Sequence, residues 1–248
     1  MAEESADFLK KLLKTGIIGM EWPKKAYLFA VIKNRSGEVI WTKKYQTKPR
    51  RDSSNQNHAE SQMLKDQEFK KVIEELYSRY KTKEVDRRTL EVDLILTINY
   101  SPCKECADDL IKILIKNDEK ESPVRKLTIR FSHPYGTKDD REGHLDSLKD
   151  LDGAGITLEA MTEESWRDVM MTDQSWFDAM KDAKSSMDKE HWFDEVMKLF
   201  GLDPVKVRDR DDATRAKLAE LLRVYSDSKG LNDEFETLRV SSASDSET

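Results

Sequence analysis

The sequence predicts an α/β fold, and two features of the chain lead to this prediction. Five short runs rich in β-branched and aromatic residues are spread along it, and most of them are separated by segments whose apolar residues recur at helical spacing. The predicted order is α-β-β-α-β-α-β-α-β-α-α. Strands that alternate with helices are typical of a sheet covered by helices. A chain of 248 residues is long enough to bury one large core.

The predicted elements follow from local patterns in chain order. Strands are expected at residues 26–33, 38–47, 90–100, 126–132 and 156–161. The turn Arg35-Ser36-Gly37 makes the first two strands a hairpin. Helices are expected at residues 6–14, 58–80, 101–117, 144–152, 162–170, 173–185 and 189–201, followed by a charged helix after Pro204. The helical spacing of Trp166, Trp176 and Trp192 predicts that these side chains lie in the core.

The composition excludes several classes of protein. Hydrophobic and charged residues each make up 37% of the chain, and the mean hydropathy is −0.77. No apolar run approaches the ~20 residues that a membrane span needs. The start of the chain is acidic and lacks a continuous apolar segment before a cleavage site, so we expect no secretory signal. A collagen, a fully disordered chain and a disulfide-framed secreted module are equally disfavoured.

The chain has two cysteines, Cys103 and Cys106, which are three residues apart. Two cysteines this close rarely form a structural disulfide bond, so the two are metal ligands or a redox pair. Either use suits a reducing compartment, and we expect the protein to be cytoplasmic, nuclear or both.

The net charge of −6 is unevenly distributed along the sequence. Residues 1–138 hold 28 Lys and Arg against 21 Asp and Glu, whereas residues 139–248 hold 15 against 28. The cysteine pair lies in the basic half, which hints at an anionic partner.

Four residues have the types and spacing of a zinc deaminase signature, H-x-E…P-C-x-x-C: His58, Glu60, Cys103 and Cys106. A Cys-x-x-Cys at a helix start places both sulfurs on one turn, facing one metal ion. One histidine and two cysteines leave a fourth tetrahedral position for water, as in catalytic zinc sites. Glu60, two residues from His58, can face that water without binding the metal. An inactive zinc site and a redox pair remain the alternatives.

The sequence around this signature resembles the activation-induced deaminase/APOBEC branch of cytosine deaminases. The resemblance covers roughly residues 6–200, and three stretches carry it: LTINYSPCKECADDLIKILIKN, KLTIRFSHPYG and EGHLDSLKDLDGAGITLEAMTEESW. In the last stretch Ala154, Gly155, Met161 and Thr162 match the Ala-Gly strand ending in Met-Thr that the family has. The zinc signature is specific for the superfamily only, whereas residues 126–166 point to this branch.

The resemblance implies a cytidine-deaminase-like fold, with a five-stranded mixed sheet and helices on both faces. It also implies zinc-dependent deamination of cytosine to uracil in single-stranded DNA or RNA, with one Zn2+ per chain. By position, His58, Cys103 and Cys106 match the zinc ligands, and Glu60 matches the proton shuttle. An editing or immune role would follow from the resemblance alone.

Further site residues are implied by their positions in the family pattern. Tyr100 matches a pocket wall and Ser101 the serine beside it, Tyr135 matches a loop tyrosine that stacks near the target base, and Ala59 lies inside the His-Ala-Glu motif. Either Asn55 or Asn57 matches an asparagine in the preceding loop.

Contacts to the polynucleotide are expected from basic and aromatic residues near the signature. The candidates are Lys48, Arg50, Arg51, His133 and Trp22. The basic run before His58 also fits a solvated strand end, and Tyr135 and Trp22 also fit simple packing.

The chain departs from the family pattern at three places. The box before the first cysteine is Asn99-Tyr100-Ser101 rather than Ser-Trp-Ser, His133 replaces an arginine, and 41 residues separate Glu60 from Pro102. These departures leave the preferred polymer and the flanking bases open. A deaminase of free cytidine or nucleotides and a non-catalytic zinc-containing nucleic-acid-binding module are the competing functions.

Three regions are expected in the chain: a catalytic domain over residues 1–203, a charged helix over 204–228 and a disordered acidic tail over 229–248. The tail contains apolar residues at the spacing of a nuclear export signal, Leu231, Phe235, Leu238 and Val240. Docking of these residues on the domain surface is the alternative.

Overall fold

A computed structural model describes residues 2–48, 57–81, 87–115, 122–134, 141–173 and 190–223. The helices are α1 (Ala2–Lys14), α2 (Ala59–Lys65), α3 (Gln67–Lys81), α4 (Arg87–Leu90), α5 (Lys104–Ile115), α6 (Arg141–Gly153), α7 (Glu163–Thr172), α8 (Trp192–Leu199) and α9 (204–223). The strands are β1 (Tyr27–Asn34), β2 (Val39–Gln46), β3 (Val92–Tyr100), β4 (Val124–His133) and β5 (Thr157–Ala160). The expected α/β class is confirmed.

The strands form one mixed sheet in the order β2-β1-β3-β4-β5. Strand β1 is antiparallel to both β2 and β3, whereas β3, β4 and β5 run parallel. Helices α5 and α6 provide the crossovers between the parallel strands, as such connections require. The carboxyl ends of β3 and β4 therefore lie at the same edge of the sheet, where Tyr100 pairs with His133.

Two hydrophobic clusters cover the two faces of the sheet, because successive strand residues point to opposite sides. Leu28 and Ala30 of β1 belong to one cluster, which also contains buried residues of α2 and α5. Tyr27 and Phe29, their neighbours on β1, belong to the other cluster together with residues of α1, α7 and α8. Helices thus cover both faces, as expected.

The tryptophans at helical spacing lie in the core where the structure describes them. Trp166 is completely buried and Trp192 nearly so. Trp176 and most of the helix expected at 173–185 lie outside the described residues.

The long helix expected at residues 58–80 is wrong in one respect, since it is two helices separated at Asp66. This residue has an extended backbone (φ −65°, ψ 126°). Its carboxylate accepts hydrogen bonds from the backbone N–H groups of Glu68 and Phe69, at 2.8 and 3.1 Å. Asp66 therefore caps the start of α3.

Helix α9 packs against both clusters. Val207 lies in the cluster with α1, and Leu218 lies in the other. Within the described residues, no helix is both long enough and apolar enough to cross a membrane.

Candidate metal centre and catalytic cavity

Two helix N-termini bring the four signature residues together. His58 directly precedes α2 and has an extended backbone, and its carbonyl accepts the first helical hydrogen bond, from Gln62. Cys103 holds the same place before α5, where its carbonyl accepts from the N–H of Ala107 at 2.8 Å. The Ser-Pro pair before Cys103 ends β3 and starts this helix. Cys106 then lies one turn into α5, on the same side as Cys103.

The three expected ligands converge on one point. The Nδ1 atom of His58 is 3.4 Å from Sγ of Cys103 and 3.4 Å from Sγ of Cys106, and all three atoms lie within 4.8 Å of one another. In a tetrahedral zinc site, Zn–N and Zn–S bonds of usual length separate nitrogen and sulfur by about 3.6 Å. One nitrogen and two sulfurs at this spacing fit a zinc ion and leave one position open.

Glu60 faces the same space and is not part of the ligand group. The side chain is only 4% exposed. Burial raises the pKa of its carboxyl to about 7, and the nearby Cys103 adds to the rise. A carboxyl group with a pKa near neutrality both accepts and donates a proton readily, which is the property of a general acid–base catalyst.

The two thiols titrate as a pair. A hydrogen bond from Cys106, together with His58, lowers the pKa of the Cys103 thiol to about 5. The same hydrogen bond and burial raise the pKa of Cys106. A metal ion binds the deprotonated thiolates, so its binding would release the protons that these thiols hold.

A cavity of about 400 Å³ opens beside the ligand group. Its lining includes His58, Glu60 and Cys103 and the following further residues: Lys24, Lys25, Ala26, Thr47, Lys48, Tyr100 and Ser101. Four predicted residues besides the ligands therefore face it: Glu60, Lys48, Tyr100 and Ser101. Three lysines, Lys24, Lys25 and Lys48, contribute to this lining, so the cavity suits a ligand that carries negative charge.

Four residues of this lining were not predicted from the sequence: Lys24, Lys25, Ala26 and Thr47. The adjacent lysines between Trp22 and the first strand indicate an exposed, positively charged position, since a basic pair at a loop–strand junction often lies on a surface. What the sequence did not show is that residues 15–26 fold back over the end of β3.

Other predicted residues lie near the cavity or outside the described chain. The carbonyl of Asn57 accepts a hydrogen bond from the N–H of Lys48 at 3.0 Å, which holds the start of the His-Ala-Glu motif against the end of β2. Ala59 is buried in the cluster with α2 and does not line the cavity. Asn55, Arg50, Arg51 and Tyr135 lie outside the described residues. The substrate roles of all these residues stay predictions.

Trp22 and His133 pack on each other beside the catalytic cavity. Their ring centroids are 4.9 Å apart, and Trp22 is 37% exposed. Both line a second cavity of about 500 Å³, together with Lys206, Arg210 and other residues of α9. Burial lowers the pKa of His133 to about 4, and the positive charges of Lys217 and Arg210 contribute. His133 is therefore neutral at physiological pH and offers an aromatic ring rather than a charge.

The fold and the ligand group define a class of protein: an α/β deaminase with a metal site at the helix N-termini beside the sheet edge. The family model described as Invertebrate-AID/APOBEC-deaminase matches residues 8–198, which is more than half of the chain. The chain belongs to this family of AID/APOBEC-like cytosine deaminases, whose members are zinc-dependent enzymes. No curated protein matches the sequence.

Proposed function

We propose that the protein deaminates cytosine to uracil in single-stranded DNA or RNA, with one zinc ion held by His58, Cys103 and Cys106. One observation carries the proposal: the three ligand atoms lie within 4.8 Å of one another at a cavity that also contains the buried carboxyl of Glu60. When bound, zinc supplies Lewis-acid activation of a water molecule.

Glu60 moves the protons in the proposed reaction. Its carboxylate takes a proton from the attacking water, whose oxygen forms a bond to C4 of cytosine. The carboxyl group delivers this proton to N3, then takes the proton of the new hydroxyl on C4 and delivers it to the amine at C4. The C4–N bond breaks, ammonia leaves and uracil remains, so that one water molecule is consumed for each ammonia released.

The lining of the cavity favours a polynucleotide over a free nucleoside. Lys24, Lys25 and Lys48 line the same space as Glu60. A nucleoside carries no phosphate for these ammonium groups to neutralise, whereas each nucleotide of a strand carries one. Tyr100 adds an aromatic side chain, which can support a base by stacking.

Incubation of the purified protein with cytosine-bearing oligonucleotides and with free cytidine tests the proposal, and mass spectrometry detects the conversion. We expect uracil in single-stranded DNA or RNA, little conversion of cytidine, and no conversion by the Glu60→Gln variant. Conversion of cytidine at an equal or higher rate would favour a nucleoside deaminase. Zinc-loaded protein that binds oligonucleotides without converting them would favour a non-catalytic binding module.

The proposed nuclear export residues, Leu231, Phe235, Leu238 and Val240, lie outside the described part of the chain. The export role stays a prediction, which the nuclear accumulation of a tagged Leu238→Ala/Val240→Ala variant in eukaryotic cells would support.

A further inference from the structure

Residues 15–26 connect α1 to β1 and form one wall of the catalytic cavity. The wall consists of Lys24, Lys25 and Ala26, at the end of this segment. The segment contains turns and bends but no helix or strand. Its position therefore depends on contacts with other parts of the chain.

The side chain of Asn99 makes two of these contacts from inside the protein, and a third hydrogen bond to the first residue of β1. Its Nδ2 donates to Oγ1 of Thr15 at 3.2 Å and to the carbonyl of Lys25 at 3.1 Å. Its Oδ1 accepts from the N–H of Tyr27 at 2.8 Å. Asn99 and Thr15 are both completely buried. One amide thus joins the beginning of the segment to its end.

An amide group suits this task because it combines two N–H donors with an acceptor oxygen. A serine, which stands here in the family box, has a single donor on a shorter side chain and cannot bridge both ends. The asparagine that stands in place of the family's serine therefore makes hydrogen bonds to both ends of the segment, which a serine could not make.

The next residue of β3 supplies a second attachment. The hydroxyl of Tyr100 donates to the carbonyl of Pro23 at 2.8 Å. Neighbouring residues of a strand point to opposite faces of the sheet. Tyr100 and Asn99 therefore attach the segment at Pro23 and at Lys25, the residues on either side of Lys24.

We propose that Asn99 is a positioning residue for the deaminase, which fixes residues 15–26 so that Lys24 and Lys25 are in place before the substrate binds. The role of the lysines rests on the proposed function, whereas the fixing of the segment does not. Asn99 is not among the described residues that line the cavity, and it is not part of the ligand group. Its loss weakens substrate binding and leaves the chemical step intact.

The central experiment compares Asn99→Ala with Thr97→Val, a matched control on the same strand. Thr97 is also buried, and its Oγ1 has no hydrogen-bond partner among the described residues. Kinetics on a cytosine-bearing oligonucleotide should show KM raised about tenfold in Asn99→Ala with kcat within about twofold, which is the signature of lost uniform binding. Thr97→Val should behave as the wild type.

Two measurements report on the segment without requiring activity. In Asn99→Ala, the N–H of Tyr27 loses its acceptor, so its hydrogen exchange should accelerate at least about tenfold. Trypsin should also cut after Lys24 and Lys25 faster than in Thr97→Val, with the cut sites identified by mass spectrometry. Both measurements are made well below the melting temperature of each variant.

Thr15 provides a second pair of variants, in case Asn99→Ala folds poorly. Thr15→Val removes the hydroxyl that Asn99 contacts, whereas Thr15→Ser keeps it. We expect Thr15→Val to repeat the rise in KM to a smaller extent and Thr15→Ser to restore the wild-type value. If wild-type KM, exchange and cleavage persist in Asn99→Ala, or if only kcat falls, the positioning role is wrong.

If the proposed function is wrong, these measurements give a different pattern from the one expected if only the positioning role is wrong. A wild-type protein without deaminase activity would overturn the role of the lysines in catalysis. Faster exchange and cleavage in Asn99→Ala would then still support the fixing of the segment, and unchanged rates would overturn that as well.

Discussion

The ligand group and residues 15–26 border the same cavity, but they are held in place by different kinds of interaction. His58 and Cys103 are positioned by the first backbone hydrogen bonds of the helices that follow them, within four residues of each. Residues 15–26 are positioned by side chains far away in sequence, such as Asn99 and Arg210. Local sequence therefore determines the first region, and the completed fold determines the second.

Removal of a metal ligand should produce the largest effect. In Cys106→Ser the zinc content should fall from about one ion per chain to near zero, because two ligands rarely retain the metal. The free energy of unfolding should fall by several kcal/mol, since an ion that binds only the folded protein stabilises it by its free energy of binding. Elemental analysis and thermal unfolding measure the two effects. If the wild-type protein is as stable without a metal ion as with zinc, the proposed zinc site is wrong.

Glu60→Gln should separate chemistry from folding. Loss of an acid–base catalyst reduces kcat by about 10²–10⁴-fold. The zinc content and the melting temperature should remain close to those of the wild type, because Glu60 is not a ligand. Activity assays and elemental analysis on the same sample check this. Retained activity would show that another group moves the protons.

Arg210→Met should remove contacts between α9 and the start of residues 15–26, and so destabilise the protein. Arg210 is buried, pairs with Asp211 at 2.7 Å, and donates to the carbonyls of Leu13 and Thr15. Its removal leaves the buried carboxylate of Asp211 without this partner, which costs about 3–5 kcal/mol in the free energy of unfolding. Urea unfolding measures the loss.

The control for Arg210 is an exposed ion pair. Lys112 pairs with Asp109 on the surface of α5. Lys112→Met should leave the free energy of unfolding almost unchanged, because water and salt screen an exposed ion pair. Equal losses in the two variants would contradict the structural role of Arg210.

His133 should give the smallest effect, a dependence of stability on pH. Its pKa in the folded protein is about 4, below the ordinary value of 6.5. Between these values the unfolded chain binds a proton that the folded protein does not, so stability is complete above pH 6.5 and is lost as pH falls towards 4. After allowance for partial exposure, we expect about 1–2 kcal/mol.

Thermal unfolding from pH 7.5 to 4.5 tests this dependence. The His133→Asn variant should lose less stability on acidification than the wild type. The variant His191→Asn, at an exposed position in the described chain, should follow the wild type. Identical pH profiles for His133→Asn and the wild type would contradict the burial of a neutral imidazole.

The ligand group could be predicted because residues that are close together in the sequence determine most of its geometry. Cys103 and Cys106 lie one helical turn apart, and His58 and Glu60 are two residues apart, so the motif contains most of the geometry. The five strands were predictable for the same reason, since each is a continuous β-rich run bounded by turn residues. The capping of α7 was only partly predictable. Threonine is a common N-cap residue, so Thr162 indicates the start of the helix, but a serine rarely completes a capping box, and here Ser165 does so.

The remaining features depend on contacts between distant residues. The break at Asp66 was missed because apolar residues keep their helical spacing across it, although an aspartate can cap a helix. The wall formed by Lys24 and Lys25 was missed because the hydrogen bonds that hold it join residues more than 70 positions apart. No periodicity in the sequence records such contacts.

The place of α9 has a practical consequence for work with this enzyme. The family match ends at residue 198, but α9 begins at 204 and contributes buried side chains to both clusters. A truncated protein ending at 203 would expose the neighbourhood of Trp166, whose indole N–H donates to Asp211 of α9, and such apolar surfaces promote aggregation during expression. A shortened version for crystallisation, or a fusion to another protein, should therefore keep the chain through residue 223.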